Sequence, residues 1–499
     1  APSVRLPAVA EHLDRAWIWQ FGFNQPESRK ESQRALDIDP DCALCLVARA
    51  YGYGPFLNKP MMTPAEAETA RDAATRARAL VEASPASFTP KERGVVNAFA
   101  VRHESLGDPP TLGPEREEAA IVAFHEAMCP LADSLGEDAD VWMWCAEGLM
   151  LQQRFWRLPY AYYTDADGTP TENTVRAASA LVTAMELSNH GQPLANHLYI
   201  HITEPSPVDA SPEGAVGAGR ADAAADALEG QAPGSGHLQH MPGHTYSREG
   251  RWADYAAANI GRKTDFIGVD TDADGALTAD NALTANGMFA YGTAHNIAAG
   301  IHGASTDGQL SMALFGAREL RRLAAEGTAT NGGAGTATWN CAMGGAPGMD
   351  NGWNLELETL ARFAMWEDIL AADEEDPWPQ PPASECPLAA ALRHYARGLA
   401  HAGLGDSAAA ESELRQLQAL RPLIGTGKML PYRGNDGGVF DVAEMVLQAR
   451  LALLTPAGLR NSTLEAAAAA ASLLSQATAE QESWPYVRAA PLFSAFLSS

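Results

Sequence analysis

Signals for the start of an α-helix recur along this chain, and they constrain its fold more than any other feature. Thr63-Pro64 and Thr89-Pro90 each place a capping residue before a proline, which is well tolerated in the first turn of a helix. Alanine-rich amphipathic stretches follow both signals, and similar stretches continue to a last one over residues 464–475. No alternation of apolar and polar residues is long enough to predict a strand of convincing length. The sequence therefore predicts an all-α protein.

The opening residues indicate how the predicted helices pair. AVAEHLDRAWIWQFGFN and QPESRKESQRALDIDP predict two helices joined by a short turn, and DIDPDCALC resembles the boundary between two tetratricopeptide repeats. The predicted fold is a tetratricopeptide-like α-solenoid, a right-handed superhelix of helical hairpins, over residues 1–499 as a single unit. The Gly-rich segment 327–353 is predicted to be an insertion or lid loop, because it is longer than an ordinary connection.

Histidines are concentrated in two short segments, NHLYIHITEPS and GHLQHMPGHTY. His197 and His201 stand four residues apart, so in a helix their rings share one face, and Glu204 lies close to one further turn along it. His240 and His244 repeat that spacing, although Pro242 lies between them and weakens the argument from a continuous helix. Imidazoles paired in this way on facing helices are a common transition-metal site in helical proteins. Packing between repeats or helix capping is the alternative for each histidine taken singly.

A third pair, His295 and His302, lies seven residues apart on a later predicted helix. If the first helices of the repeats line one concave surface, the three pairs converge there. Six imidazoles suit two metal ions with three ligands each, whereas four imidazoles with Glu204 or Glu147 suit one ion of copper, iron or zinc. The predicted transition-metal ligands are His197, His201, His240, His244 and His295, with copper favoured over iron or zinc.

Three further residues are candidates for catalytic roles. Glu147 lies in WMWCAEGLMLQQRFW, and a buried carboxylate among aromatic residues needs a partner, so it is a ligand, a hydrogen-bond partner of a histidine, or bonded to an arginine. Glu204 is a candidate ligand or proton carrier. Tyr246 accompanies the second histidine segment and is a candidate hydrogen-bond donor to a substrate or oxidant.

A second ion signal is the segment 270–281, DTDADGALTADN. Asp270, Asp272 and Asp274 supply oxygens at loop positions 1, 3 and 5, and a glycine follows at position 6, as in an EF-hand calcium loop. Asn281 stands at position 12, where that loop has a bidentate glutamate. The segment predicts either a calcium site or a solvated acidic turn.

Composition limits the partners. A formal charge of −27 argues against nucleic acid and anionic membranes, and no apolar run is long enough to span a bilayer. The expectation is a soluble protein, secreted or organellar if an N-terminal segment has been removed, with a small-molecule substrate and a protein partner left open. The six cysteines are few for this length and are not expected to form a disulfide framework, and Cys42 and Cys45, which form a CxxC, are expected to be buried thiols, with a disulfide or redox pair as the alternative.

Several of these segments also resemble a known family. HLYIHITEPS, HLQHMPGHTYSREGRWADYAAAN and YGTAHNIAAGIHGAS resemble the signature segments of a family of tetratricopeptide-repeat proteins in which IHxxE, HMPxHxY and HN recur in that order. The resemblance covers most of the chain and implies an α-solenoid, without implying a particular reaction. The chain departs from the family in its Gly-rich insertion and in DTDADGALTADN.

Two functional hypotheses follow. The first is a metal-dependent enzyme, a copper or iron oxidoreductase acting on a small organic molecule in the concave cavity, with a zinc hydrolase as its variant. The second is a non-catalytic scaffold that binds a peptide or protein partner, as repeat arrays commonly do. Histidine and glutamate on the helices expected to face inward favour the enzyme. The chain contains no Walker loop, GxSxG or HExxH motif.

Overall fold

The structure is a computed structural model, and it divides into two compact units, Ala1–Glu249 and Gly250–Ser499. The residues that it describes are 3–4, 6–22, 24–57, 62–152, 170–204, 218–231, 235–260, 288–331, 355–372, 382–384, 386–424, 429–430, 434–454 and 467–477. Within them, no helix combines the length and the apolar character needed to cross a membrane.

The first unit is a series of helices in which each from α1 to α9 packs against the next along the chain, and α12 packs against α9, α10 and α11. Its helices are α1 (Pro7–Phe21), α2 (Gln25–Ile38), α3 (Ala43–Tyr51), α4 (Pro64–Ala83), α5 (Pro90–Glu104), α6 (Pro114–Leu135), α7 (Ala139–Gln152), α8 (Glu172–Ser188), α9 (Pro193–Thr203), α10 (Asp222–Leu228), α11 (Gly236–His240) and α12 (Pro242–Glu249), with 3-10 turns at Pro85–Ser87 and Ala218–Ala221. This is the packing of consecutive hairpins that an α-solenoid requires.

The predicted helix starts are real. Thr63 and Thr89 each form a capping box, in which the threonine hydroxyl accepts from the backbone N–H of Glu66 or Glu92 and the glutamate accepts from the threonine N–H. Small residues then allow close packing between neighbouring helices. At Gly148 of α7 an added Cβ would lie 2.9 Å from both Phe124 and His125 of α6, so a larger residue there forces α6 and α7 apart.

The second unit contains helices of the same kind and one short hairpin. Its elements are α13 (Trp252–Asn259), α14 (Met288–Thr306), α15 (Leu310–Asn331), α16 (Leu355–Arg362), α17 (Trp366–Ala371), α18 (Pro387–Gly403), α19 (Ser407–Ala419), a 3-10 turn at Arg421–Leu423, β1 (Met429–Leu430), β2 (Gly434–Asn435), α20 (Asp436–Leu453) and a helix over residues 467–477. The two-residue strands pair antiparallel, Met429 opposite Asn435. Leu392, Phe440 and Leu447 belong to the largest core of this unit.

The all-α prediction of paired, consecutively packed helices is confirmed. The handedness of the superhelix and its extent as a single unit stay predictions. The predicted insertion begins too early, because α15 continues to Asn331 and its alanine and threonine residues are compatible with a helix. Residues 332–353 of the predicted lid lie outside the described residues.

The prediction of buried thiols is wrong. Cys42 and Cys45 form a disulfide at the start of α3, and Cys129 of α6 is bonded to Cys145 of α7. Cys386 is disulfide-bonded as well. The second bond joins two consecutive helices across 16 residues, with its Cα atoms 4.7 Å apart.

We expect these bonds to be detectable and stabilising. Alkylation in denaturant without reductant should leave Cys42, Cys45, Cys129 and Cys145 unlabelled, and reduction should make all four reactive. Replacing Cys129 and Cys145 together by alanine should lower the free energy of unfolding by about 3 kcal/mol, because the bond closes a long loop in the unfolded chain. The matched control is the Cys42→Ala, Cys45→Ala double variant, whose much shorter loop predicts a smaller loss. Equal labelling with and without reductant contradicts the assignment.

Candidate metal site

Helix α9 carries the first pair of histidines into the interior of the first unit. Gln192 caps the helix by accepting from the backbone N–H of Leu194, and Pro193 occupies its first turn. Every residue from Leu194 to Thr203 is buried. His197 and His201 are therefore core side chains on a helix that is covered on all sides.

The other histidines come from two short helices that follow each other directly. Ser235 caps α11, which ends at His240, and α12 begins at Pro242, so Met241 alone separates the two helices, and its N–H still bonds to the carbonyl of His237. His244 lies in the first turn of α12, as the position of Pro242 predicts, whereas His240 is the last residue of α11 rather than outside a helix. α12 packs against both α9 and α10, which brings this segment beside the α9 histidines.

His197, His201 and His237 form a group that could hold a metal ion, since one ligand nitrogen of each lies within 4.8 Å of the others. The Nε2 atoms of His197 and His237 are 3.1 Å apart. The ring centre of His197 lies 4.7 Å from that of His201 and 4.9 Å from that of His237. This nitrogen-only set suits zinc, copper, iron or nickel.

His240 and His244 lie at the edge of the same cluster. Their Nε2 atoms are 2.7 Å apart, and the His244 ring centre is 5.7 Å from that of His201. His237 and His244 are partly exposed, while the other three imidazoles are buried. Solvent therefore reaches the cluster on the side formed by α11 and α12.

Glu204 connects the two sets of imidazoles. Its Oε2 atom lies 2.9 Å from Nδ1 of His244 and 3.4 Å from Nδ1 of His201. Burial by itself raises the pKa of Glu204, but attraction to His244 and hydrogen bonds from both imidazoles outweigh it, so the net pKa is lowered. Glu204 is a buried carboxylate that stays ionised.

The two buried imidazoles of α9 have lowered pKa values. Burial lowers the pKa of His197 well below its usual value, and the neighbouring histidines lower it further. Burial also lowers the pKa of His201, against the opposing effect of Glu204. Because a metal binds the unprotonated imidazole nitrogen, this environment favours ligation near neutral pH.

The structure brings together four of the five predicted transition-metal ligands, His197, His201, His240 and His244. The side chain of His295 lies outside the described residues, as do Asp270, Asp272 and Asp274 of the predicted calcium loop. His302 is described in the second unit, where its ring packs on Trp252 and Tyr255.

The predicted ligand set omits His237, which the structure places in the triad. The sequence signal that could have included His237 is its position three residues before His240, which is a helical spacing.

Glu147 and Tyr246 have other defined partners. The buried carboxylate of Glu147 accepts a hydrogen bond from the hydroxyl of Tyr51 at 2.6 Å, and Arg102 attracts it electrostatically. The hydroxyl of Tyr246 donates to Asp226 of α10 at 2.9 Å. Their catalytic roles stay predictions.

Comparisons with known proteins add little. No family model matches the chain, and no match was found among the curated proteins. Among solved structures, a chain of the "Structure of Naa15/Naa10 bound to HypK-THB" matches over 98% of this chain and 73% of that chain, with 11% identity and a TM-score of 0.20. So low a score carries no argument about fold or function, and the resemblance to the tetratricopeptide-repeat family with IHxxE, HMPxHxY and HN segments stays a prediction.

Glu147 predicts a specific pH dependence of stability. Burial raises its pKa from 4.5 to about 7, against the opposing effects of Arg102 and Tyr51. Between those two values the folded protein binds more protons than the unfolded chain, so this residue lowers stability as pH rises. Relative to the wild type, Glu147→Gln should gain about 3 kcal/mol in free energy of unfolding between pH 5 and pH 8, measured by urea denaturation.

Glu92→Gln is the contrasting control. Burial raises the pKa of Glu92, but hydrogen bonds from Ser3 and Thr89 lower it overall. The stability that this carboxylate contributes is therefore present above its unfolded pKa and is lost only as pH falls below it. The difference in free energy of unfolding between Glu92→Gln and the wild type should stay constant from pH 5 to pH 8. A constant effect for Glu147→Gln over the same range would contradict a raised pKa.

Proposed function

We propose that this chain is a transition-metal-dependent enzyme whose ion is held by His197, His201 and His237. One observation carries the proposal. Three imidazoles from two separate segments, 40 residues apart in the case of His197 and His237, have ligand nitrogens within 4.8 Å of one another. A hydrogen bond between His197 and His237 accounts for one of these contacts, but the third imidazole, of His201, brings its nitrogen to the same place, as the ligands of one metal ion must.

The ligand number favours a catalytic ion over a structural one. Structural zinc sites are closed by four protein ligands, whereas catalytic sites have three and keep a position for water or substrate. Here three imidazoles form the group, and His237 lies on its partly exposed side. A small molecule entering beside α11 and α12 would meet the open side of the ion.

The proposed ion is copper and the proposed reaction class is oxidoreduction of a small organic molecule. The donor set supports this choice, because imidazole ligands suit copper, and iron or zinc are the alternatives that the experiment must separate. Bound copper or iron would supply electron transfer, and zinc would activate water instead. Glu204 is ionised and touches His201 and His244, so it would hold both imidazoles in one orientation within this cluster.

The disulfides support a location for this function. Disulfides persist in secreted proteins and in oxidising compartments, and they are rare where glutathione keeps thiols reduced. We therefore propose that the chain matures in an oxidising compartment, secreted or organellar. Free thiols at Cys129 and Cys145 in protein isolated from its natural cells would contradict this.

Metal content tests the proposal directly. The full chain, purified without a histidine tag and dialysed against Cu(II) or Zn(II), should retain at least about one ion per chain by elemental analysis. His237→Gln should lower the affinity of this ion by at least about tenfold, because it removes one of three ligands. Electron paramagnetic resonance of the protein as isolated would distinguish copper from zinc.

The matched control is His394→Gln. His394 bonds to Glu413 at 2.7 Å, as His244 bonds to Glu204, but it lies in the second unit. This variant should keep full metal content. A wild-type content below about 0.2 ion per chain would contradict the proposed metal site. The partner-binding scaffold would then be the better hypothesis. Zinc as the native ion would favour the hydrolase.

Glu204 gives a second, independent test. Its carboxylate bonds Nδ1 of His201 and His244, which leaves Nε2 as the ligand nitrogen of each and makes the imidazole a better donor. Glu204→Gln should therefore weaken metal affinity by roughly 10- to 100-fold without unfolding the protein. Affinity is measured by competition with a chromogenic chelator, and folding by circular dichroism.

Glu413→Gln is the control for this substitution, since Glu413 also bonds a histidine and an arginine but lies in the second unit. It should leave the metal affinity unchanged. An equal affinity for Glu204→Gln and wild type would show that Glu204 does not orient a ligand.

A further inference from the structure

We infer that the centre binds two ions of the same transition metal, the second held by His240 and His244 beside the triad. This inference rests on the proposed function, because it assigns the rest of the same cluster. The two-ion centre inferred here needs no residue of the second unit. The two-ion arrangement predicted from the sequence, by contrast, includes His295 and His302.

The geometry of His240 and His244 supports a second ion. Their Nε2 atoms are 2.7 Å apart and share a hydrogen bond in the structure, and an ion would take the place of the shared proton. Two imidazole nitrogens bound to one ion at about 2.0–2.1 Å lie near 3 Å apart, so a small separation of the rings admits an ion between them.

Glu204 fixes which nitrogen of His244 faces His240. Its Oε2 atom accepts from Nδ1 of His244 at 2.9 Å. The proton of a neutral His244 is therefore on Nδ1, and Nε2 carries the lone pair that a metal binds. A carboxylate behind a histidine is the usual support of a metal ligand, and Glu204 lies in that position here.

The same carboxylate links the second position to the first. Glu204 also lies 3.4 Å from Nδ1 of His201, and among the described residues Nε2 of that buried imidazole has no hydrogen-bond partner. The ring centre of His201 is 5.7 Å from His244, and that of His237 is 6.3 Å from His240. These separations suit a two-metal site, in which the ions lie about 3.5–4 Å apart.

Two adjacent ions narrow the class of ligand. His240 and His244 supply two donors to the second ion and the triad supplies three to the first, so both keep positions for non-protein ligands. A small oxygen donor such as hydroxide, a phenolate or a carboxylate could bind both ions at once. The substrate class that fits this centre is a small molecule with such an oxygen.

Titration of the wild type with Cu(II) tests the inference without a variant. The full chain, stripped of metal and free of a histidine tag, should bind two equivalents by equilibrium dialysis and elemental analysis. The paramagnetic resonance intensity should rise with the first equivalent and then fall below one spin per copper, because adjacent Cu(II) ions couple. Two equivalents with full intensity would place the second ion elsewhere and overturn the inference.

Variants assign the positions. His240→Gln should bind one equivalent with full resonance intensity, and His394→Gln should still bind two. Saturation of the wild type at one equivalent, or two equivalents retained by His240→Gln, would overturn the second position while leaving the triad. No binding by the wild type would overturn the proposed function as well. Circular dichroism checks that each variant is folded. If a variant is unfolded, the wild-type titration alone decides whether a second ion binds.

Discussion

The candidate site depends on the interaction of one buried carboxylate with two buried imidazoles. An ionised glutamate inside a helical core is costly unless opposite charges or hydrogen-bond donors surround it. Glu204 has His244 and His201 as donors, and the net result is a lowered pKa despite burial. This interaction joins the end of α9 to α12, so the same contact that keeps Glu204 charged also holds the two histidine segments together.

The packing of the second histidine segment against α9 makes this contact possible. α9 is buried on every side, which lets His197 and His201 face neighbours on one side while apolar residues such as Leu198 and Ile202 pack on the others. Met241, which separates α11 from α12, has helical backbone angles, so His237, His240 and His244 lie at helical spacings of three and four residues. At these spacings His237 contacts His197 and His244 contacts Glu204.

Sequence reasoning succeeds here where local rules apply and fails where distant contacts decide. Thr-Pro starts predict α4 and α5, and the four-residue spacing of His197 and His201 predicts a shared face, because both depend on neighbours within one helix. Membership of His237 in the triad depends on its contact with His197, which is 40 residues away in the chain, and spacing alone does not give it. The Cys129–Cys145 bond likewise depends on α6 and α7 packing with these two residues in register.

The two buried glutamates of the first unit show why burial by itself does not identify a catalytic residue. Glu147 is fully buried beside Tyr51 and Arg102, and desolvation prevails, so its pKa is raised to about 7. Glu204 is buried to a similar degree, but two imidazoles donate to it and its pKa falls. A group that must hold ligand imidazoles in one tautomer has to remain ionised. Glu204 meets that requirement, whereas Glu147, with a pKa of about 7, is only about half ionised at neutral pH, so the proposed metal chemistry belongs with the Glu204 cluster.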